Sequence, residues 1–266
     1  MAGIIWIYGL FNGGRVAGVS LKHNRTNMVR AIIVDGRAAP LMEKNANLMG
    51  IKVIATTRHR HLYQAIAFHP DIVICSVGGN KMVVEPTVFE YYKRVLSPYR
   101  VELLKGATEL SSNYPRNIAY NIATVGKKAF LHAKYADDTV LKELEKANFR
   151  LINVKQGYTK CSIAVVGNNG IITSDSGIYT GAVENGIDAL MIRPGHIKLE
   201  GFDYGFIGGC CGMLTENILA FAGNPYLHPD ADAIMEHAKK HGVEFISLCD
   251  GPLRDIGSII PVVENN

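Results

Sequence analysis

The 266-residue chain is 48% hydrophobic and 20% charged, with 27 Gly and 10 Pro, a balance that supports a sizeable globular core. Its net charge of +4 is spread along the chain, which argues against a nucleic-acid partner, and no uninterrupted apolar run is long enough for a membrane. Five cysteines (Cys75, Cys161, Cys210, Cys211, Cys249) make an odd set without zinc-like spacing, so we expect no metal, no cofactor and a reducing, cytoplasmic setting.

Residues 1–28 are Gly-rich and fit no pattern. We expect a poorly ordered extension there, with Met28 as an alternative start, and a single domain over 29–266. The segment 1–14 is apolar but lacks the basic residues that open a secretory signal. Ala31-Ile32-Ile33-Val34-Asp35 reads as a strand, 40–48 as a helix with Pro early and Gly50 after it, and 52–57 as a further strand. The densest basic stretch, Arg58-His59-Arg60-His61, reads as a solvated loop.

A hairpin follows over 72–84, then a helix at 86–96 and a strand at 101–104. The pattern returns as strands at 118–125 and 129–131, a helix at 137–146 capped by Asp137 or Asp138, and a strand at 150–154. A third set takes 161–166, 171–173, a short helix near 180–184 and 189–192. A fourth takes 211–214, 218–221, a helix at 230–241 opened by Pro229-Asp230 and ended by Gly242, and 243–248. The last strand, 257–263, stands alone.

The hairpin turns at Gly79-Asn80, Gly126-Lys127, Asn168-Asn169 and Glu216-Asn217 recur at roughly 45-residue spacing, the mark of a modular architecture. The lone final strand lacks the second strand, helix and third strand that residues 31–57 supply. We therefore expect an α/β fold of five ββαβ units in a pseudo-fivefold, propeller-like ring, closed by pairing the N- and C-terminal strands.

A fivefold ββαβ ring resembles the pentein fold of the guanidino-modifying enzyme superfamily. Its members include deiminases, dimethylarginine hydrolases, amidinotransferases and a non-catalytic ribosome anti-association factor. The stretches Gln156-Gly157-Tyr158-Thr159-Lys160-Cys161-Ser162, Ile172-Thr173-Ser174-Asp175, Gly205-Phe206-Ile207-Gly208-Gly209 and Asp255-Ile256-Gly257-Ser258-Ile259-Ile260-Pro261 resemble an uncharacterised bacterial family of that fold. The resemblance spans roughly residues 30 to 263 and implies that the segments leading into each hairpin meet at a central axis. It also implies a Cys nucleophile, a His proton shuttle and acidic clamps for a planar cation.

The chain departs from that pattern at each key place. Gly157-Tyr158 stands for the family's Gly-His, Gly257-Ser258-Ile259 holds no Cys, and Arg116-Asn117 replaces an acidic clamp. Cys161, beside Lys160, is the remaining nucleophile candidate, with His69 or Tyr158 assisting, or else a packed strand thiol. Gly209-Cys210 follows Gly208 either to let backbone approach a ligand or to make a turn at positive φ. Asp71 and Asp255 are candidate cation holders, Arg254 being the expected neutralising partner of Asp255, and each acid reads equally as a backbone-bonding loop residue. Asp175 reads as a cap. Asn117 and Ser258 complete the candidate set, and His196, His228 and His237 show no common spacing.

The leading expectation is a binding protein for a small amino-acid-like or guanidino ligand in an axial pocket, with Arg116, Lys160 and Arg254 facing a carboxylate. The alternatives are a Cys161-dependent hydrolase or amidinotransferase acting on guanidino C–N bonds, and an interaction module like the anti-association factor.

Overall fold

The computed structural model describes residues 7–8 and 29–263. The expectation for residues 1–28 therefore lies mostly outside the described residues. Within that segment only β1 (Ile7–Tyr8) is placed, as an edge strand.

Sixteen strands and seven helices, among the described residues, form a mixed α/β fold of five small sheets. The first sheet joins the two ends of the chain. β2 (Ala31–Val34) is followed by α1 (Ala39–Leu48) and β3 (Lys52–Ala55), and β16 (Ile260–Val262) lies antiparallel to β2 with Ile260 opposite Ile33 and Val262 opposite Ala31. All four residues of β2 are buried, as expected of a continuous apolar run covered on both faces.

The second sheet contains β4 (Ile74–Ser76), β5 (Lys81–Val84) and β6 (Glu102–Lys105), with α3 (Phe89–Val95) crossing from β5 to β6. The third has β7 (Ala123–Val125), β8 (Lys128–Leu131), α4 (Asp138–Lys146) and β9 (Arg150–Asn153). The fourth has β10 (Ala164–Val166), β11 (Gly170–Thr173), α6 (Ser176–Glu184) and β12 (Asp188–Met191). The fifth has β13 (Cys211–Thr215), β14 (Ile218–Phe221), α7 (Ala231–Lys240) and β15 (Glu244–Ser247), with β1 on its edge. In every sheet a central strand pairs antiparallel on one side and parallel on the other, the parallel partner arriving through a helix.

Local chemistry explains most boundaries. Asp137 caps α4 by accepting from the Thr139 and Val140 N–H groups, and Asp175 caps α6 through Ile178 N–H. That second cap starts α6 at Ser176, earlier than the sequence suggests. Gly126, at φ 54°, supplies the left-handed turn between β7 and β8 that a residue with a Cβ rarely adopts.

The strands expected to start at 72 and 161 begin later, because both starts fall in single helical turns. These turns are α2 (Pro70–Val73), where Pro70 presets φ and its carbonyl accepts from Ile74 N–H, and α5 (Thr159–Ser162), closed by Ser162 N–H on Tyr158 O at 2.9 Å. The basic loop is also corrected in part. Arg58, Arg60 and His61 are exposed, but His59 is 1% exposed, with Nε2 3.1 Å from Thr87 Oγ1 and 3.3 Å from Glu85 Oε2. The buried carboxylate gives that imidazole a partner which solvent would otherwise provide.

Tyr92, Tyr120, Phe130, Phe221 and Phe245 are the largest fully buried side chains. All five cysteines are free and buried. No helix among the described residues is long and apolar enough to cross a membrane.

Candidate functional site

The segments leading into the five sheets are tied together by buried hydrogen bonds, and Asp71 on α2 is the hub. Its Oδ2 accepts from Ser258 Oγ at 2.7 Å and from Cys161 Sγ at 3.1 Å, while the Asp71 backbone N–H donates to Gly257 O at 3.1 Å. Ser258 Oγ also lies 2.9 Å from the Gly208 carbonyl. Ser258 holds φ 74°, a left-handed backbone that costs a side-chain-bearing residue about 1 kcal/mol or more. The bond to Asp71 offsets that strain.

Asn121, just before β7, joins the same group. Its Nδ2 donates to Cys161 Sγ (3.2 Å) and to Asp71 O (3.1 Å), and its Oδ1 accepts the Lys160 (2.8 Å) and Cys161 (3.3 Å) backbone N–H groups. One amide thus orients α5 against α2. Asn121 was missed in the sequence because it sits inside an apolar stretch with no motif around it.

Burial decides the electrostatics of this cluster. Desolvation pushes the Asp71 carboxyl up, against the hydrogen bonds from Ser258 and Cys161. Burial, then the charges of Asp71 and Asp255, raise the Cys161 thiol well above its ordinary value. Burial likewise raises the Tyr158 phenol, whose OH lies 3.4 Å from that of Tyr63. Cys161, 3% exposed, is therefore a protonated thiol held by an acid and an amide. We expect an iodoacetamide-type reagent at neutral pH to label it more slowly than a free small thiol, with fast labelling only after denaturation; stoichiometric labelling of the native chain within minutes would reverse this assignment.

Beside this cluster, His69 stands between two acids. Its Nδ1 is 3.8 Å from Asp255 Oδ1 and its Nε2 is 3.9 Å from Asp35 Oδ2, and neither nitrogen closes a hydrogen bond. Burial lowers its pKa, although both acids pull the other way. Asp255 is raised by burial, an effect partly countered by His69. Asp255 is held by backbone, with Phe206 N–H donating to Oδ2 at 2.9 Å and Gly257 N–H to Oδ1 at 3.0 Å. Arg254 is exposed and forms no ion pair with Asp255, so the expected neutralisation by Arg254 gives way to these two backbone amides.

The Gly208-Gly209 pair is used differently from either sequence reading. Neither residue has positive φ, and the pair belongs to a 3-10 turn, Gly208–Cys210. A Cβ on Gly208 would strike the backbone carbonyls of Lys160 and Ile163, and one on Gly209 would strike the Asp255 carboxylate. The glycines admit protein atoms, not open space for a ligand. Cys210 is fully buried, with Sγ on Ile207 O at 3.0 Å.

A cavity of about 520 Å³ opens over Asp255 and Asp35, with Arg37, Lys198 and Arg254 as its cationic groups, Glu200 and Asp203 as further acids, and Leu41, Leu199, Phe202 and Ile256 as apolar wall. Asp35 is gripped by Arg37, whose Nη2 lies 2.6 Å from Oδ2 and Nε 3.0 Å from Oδ1. Of the candidates, Arg254 and Asp255 line this cavity. Cys161, Asp71 and Ser258 lie in the buried hub, Lys160 acts on Asp71 by its charge, and exposed Arg116 belongs to neither group. Asn117 is buried and bonds Ser112 O through Nδ2 at 3.3 Å. Asp35 and Arg37 were missed, though Asp-Gly-Arg directly after an apolar strand is the signal that marks them. A wider surface depression of about 670 Å³ between α4 and β9 contains none of these buried groups.

A family model described as a family of unknown function (DUF6873) matches residues 33–260. The chain belongs to that family. No curated protein matches it. Among solved structures, the amidinotransferase SxtG from Microseira wollei, of the saxitoxin biosynthetic pathway, is similar at 11% identity and TM-score 0.54, with 91% of this chain and 97% of that one covered. An inosamine-phosphate amidinotransferase from Streptomyces griseus is similar at 11% and 0.51, covering 92% and 96%. DDAH from Pseudomonas aeruginosa, in complex with citrulline, stands at 9% and 0.50, covering 84% and 92%. At such identities the likeness establishes the fold alone, which is the pentein fold.

Proposed function

We propose that this DUF6873 member binds a small amino-acid-like or guanidino ligand, without the Cys, His and acid set that the superfamily uses for hydrolysis. The five sheets are read as modules of a propeller-like ring, with the ligand in the cavity over Asp255 and Asp35, beside the buried hub. The observation that carries the reading is the cavity of about 520 Å³ with Asp255 and Asp35 on its floor and Arg37, Lys198 and Arg254 around them. Opposite charges in one concave site suit a zwitterion, and the apolar wall suits its methylene chain. Asp255 receives the cationic end, because its two backbone donors leave lone pairs free and its burial strengthens each charge contact. Asp35 is already satisfied by Arg37 and serves to hold that guanidinium in place.

The Cys161 thiol supports binding better than catalysis, since burial first, and then the neighbouring Asp71 and Asp255 carboxylates, disfavour the thiolate a nucleophile needs. Calorimetric titration of the full chain with arginine, citrulline and agmatine tests the proposal. Saturable, one-site binding of at least one compound is expected. Silence across the set would remove the reading.

A further inference from the structure

Away from that cavity, two histidines and an acid converge where the end of α7 meets β12. His237 and His241 are one helical turn apart at the end of α7, so both rings project from one face, with centroids 4.9 Å apart. Asp188 opens β12, the strand over which this end of α7 packs. One donor atom from each of the three lies within 4.8 Å of the others. His241 Nε2 is 2.8 Å from Asp188 Oδ2, and His237 Nδ1 is 4.0 Å from the same oxygen. A tetrahedral ion with bonds of about 2.1 Å holds its ligands roughly 3.4 Å apart, a value these separations bracket.

The placement is built in. Asp188 is anchored by its N–H on Asn169 O at 3.0 Å and pairs with Gly170 across β11 and β12. Gly170 has no side chain because the His241 ring occupies that space; a Cβ there would sit 2.7 Å from ring atoms. His237 is buried, and its Nε2 closes no hydrogen bond. One neighbour competes with an ion: Lys240 Nζ lies 2.7 Å from Asp188 Oδ2, but this side chain is 66% exposed and free to swing into solvent.

We propose that Asp188, His237 and His241 form a site for a divalent transition-metal ion of the zinc class, with water in the remaining position. Two imidazoles and one carboxylate favour zinc, cobalt or nickel over magnesium or calcium. The spacing is legible as His-x-x-x-His, but the carboxylate comes from a different sheet, which hid the set in the sequence.

The test uses the full-length chain with Zn²⁺ and Co²⁺ salts as probes. Zn²⁺ is expected to raise the melting temperature by about 3 °C or more, and Co²⁺ to give tetrahedral visible bands without thiolate charge transfer, since the cysteines are buried. His241→Gln and Asp188→Asn each weaken binding at least tenfold, whereas Lys240→Ala tightens it by removing the competing ammonium. Circular dichroism confirms that each variant is folded; if His241→Gln is not, Asp188→Asn and Lys240→Ala carry the test. Undiminished binding in the His241 or Asp188 variants, thiolate bands with Co²⁺, or no metal response in the wild type overturns the site.

Discussion

Gly208→Ala is expected to destabilise the protein by about 3 kcal/mol, among the largest effects of any single methyl group added to this chain. The new Cβ would meet two backbone carbonyls, those of Lys160 and Ile163, and neither can turn away as a flexible side chain would. Relief requires moving α5 away from the 3-10 turn, which separates Cys161 from the element that also supports Ser258 through the Gly208 carbonyl. Urea denaturation of the variant checks this, with Gly186→Ala as the control. Gly186 has φ 68° and nothing within 4 Å of an added Cβ, so its substitution carries backbone strain alone, about 1 kcal/mol. A Gly208→Ala midpoint no lower than that of Gly186→Ala would show that the lead-in segments are not packed as described.

Asp255→Asn is expected to weaken binding of a cationic ligand about 100-fold, or about 2.7 kcal/mol. The substitution keeps shape but removes the charge, and it turns an amide NH₂ toward one of the Phe206 and Gly257 N–H donors. Gly205 and Gly209 pack directly against the Asp255 side chain, so its rearrangement is restricted. Arg116→Gln, at an exposed position away from the cavity, is the control and should leave affinity within about twofold. Because burial raises the Asp255 pKa, the carboxylate is the minor form below that raised value, and affinity for a cation should fall as pH drops through it. Calorimetry on folded variants reads both effects. Equal affinity for wild type and Asp255→Asn would detach the cationic group from this residue.

Strand placement was largely legible because each hairpin combines a β-branched run with a turn that needs Gly or Asn, as at Gly126 and Asn168-Asn169. The pairing of β16 with β2 was legible for a different reason, the complementary half-modules at 31–57 and 257–263. Short-range helical turns were not. Pro70 and Thr159 begin α2 and α5 within segments whose apolar content reads as strand, and only the tertiary bonds to Asp71 and Asn121 fix the outcome. At the candidate site, sequence position marked Asp71, Cys161, Asp255 and Ser258 because they precede hairpins. It did not distinguish an acid that faces a cavity from one sealed in the interior. That distinction depends on groups far apart in the chain: Asp255 lines the cavity with Arg37, whereas Asp71 is enclosed, with Oδ2 bonded to Ser258 and Cys161 and Oδ1 left without a partner. Asn121 and the Asp188–His241 pair escaped because a hydrogen bond between distant segments leaves no local periodicity.

The sheet shared by β2, β3 and β16 has a consequence for synthesis. Until the ribosome has released the segment carrying Ile260, Pro261 and Val262, one side of β2 has no antiparallel neighbour, and an apolar edge waits while every other sheet can already assemble. Closure of this sheet therefore depends on a contact between strands far apart in the chain, the kind of long-range pairing that slows folding.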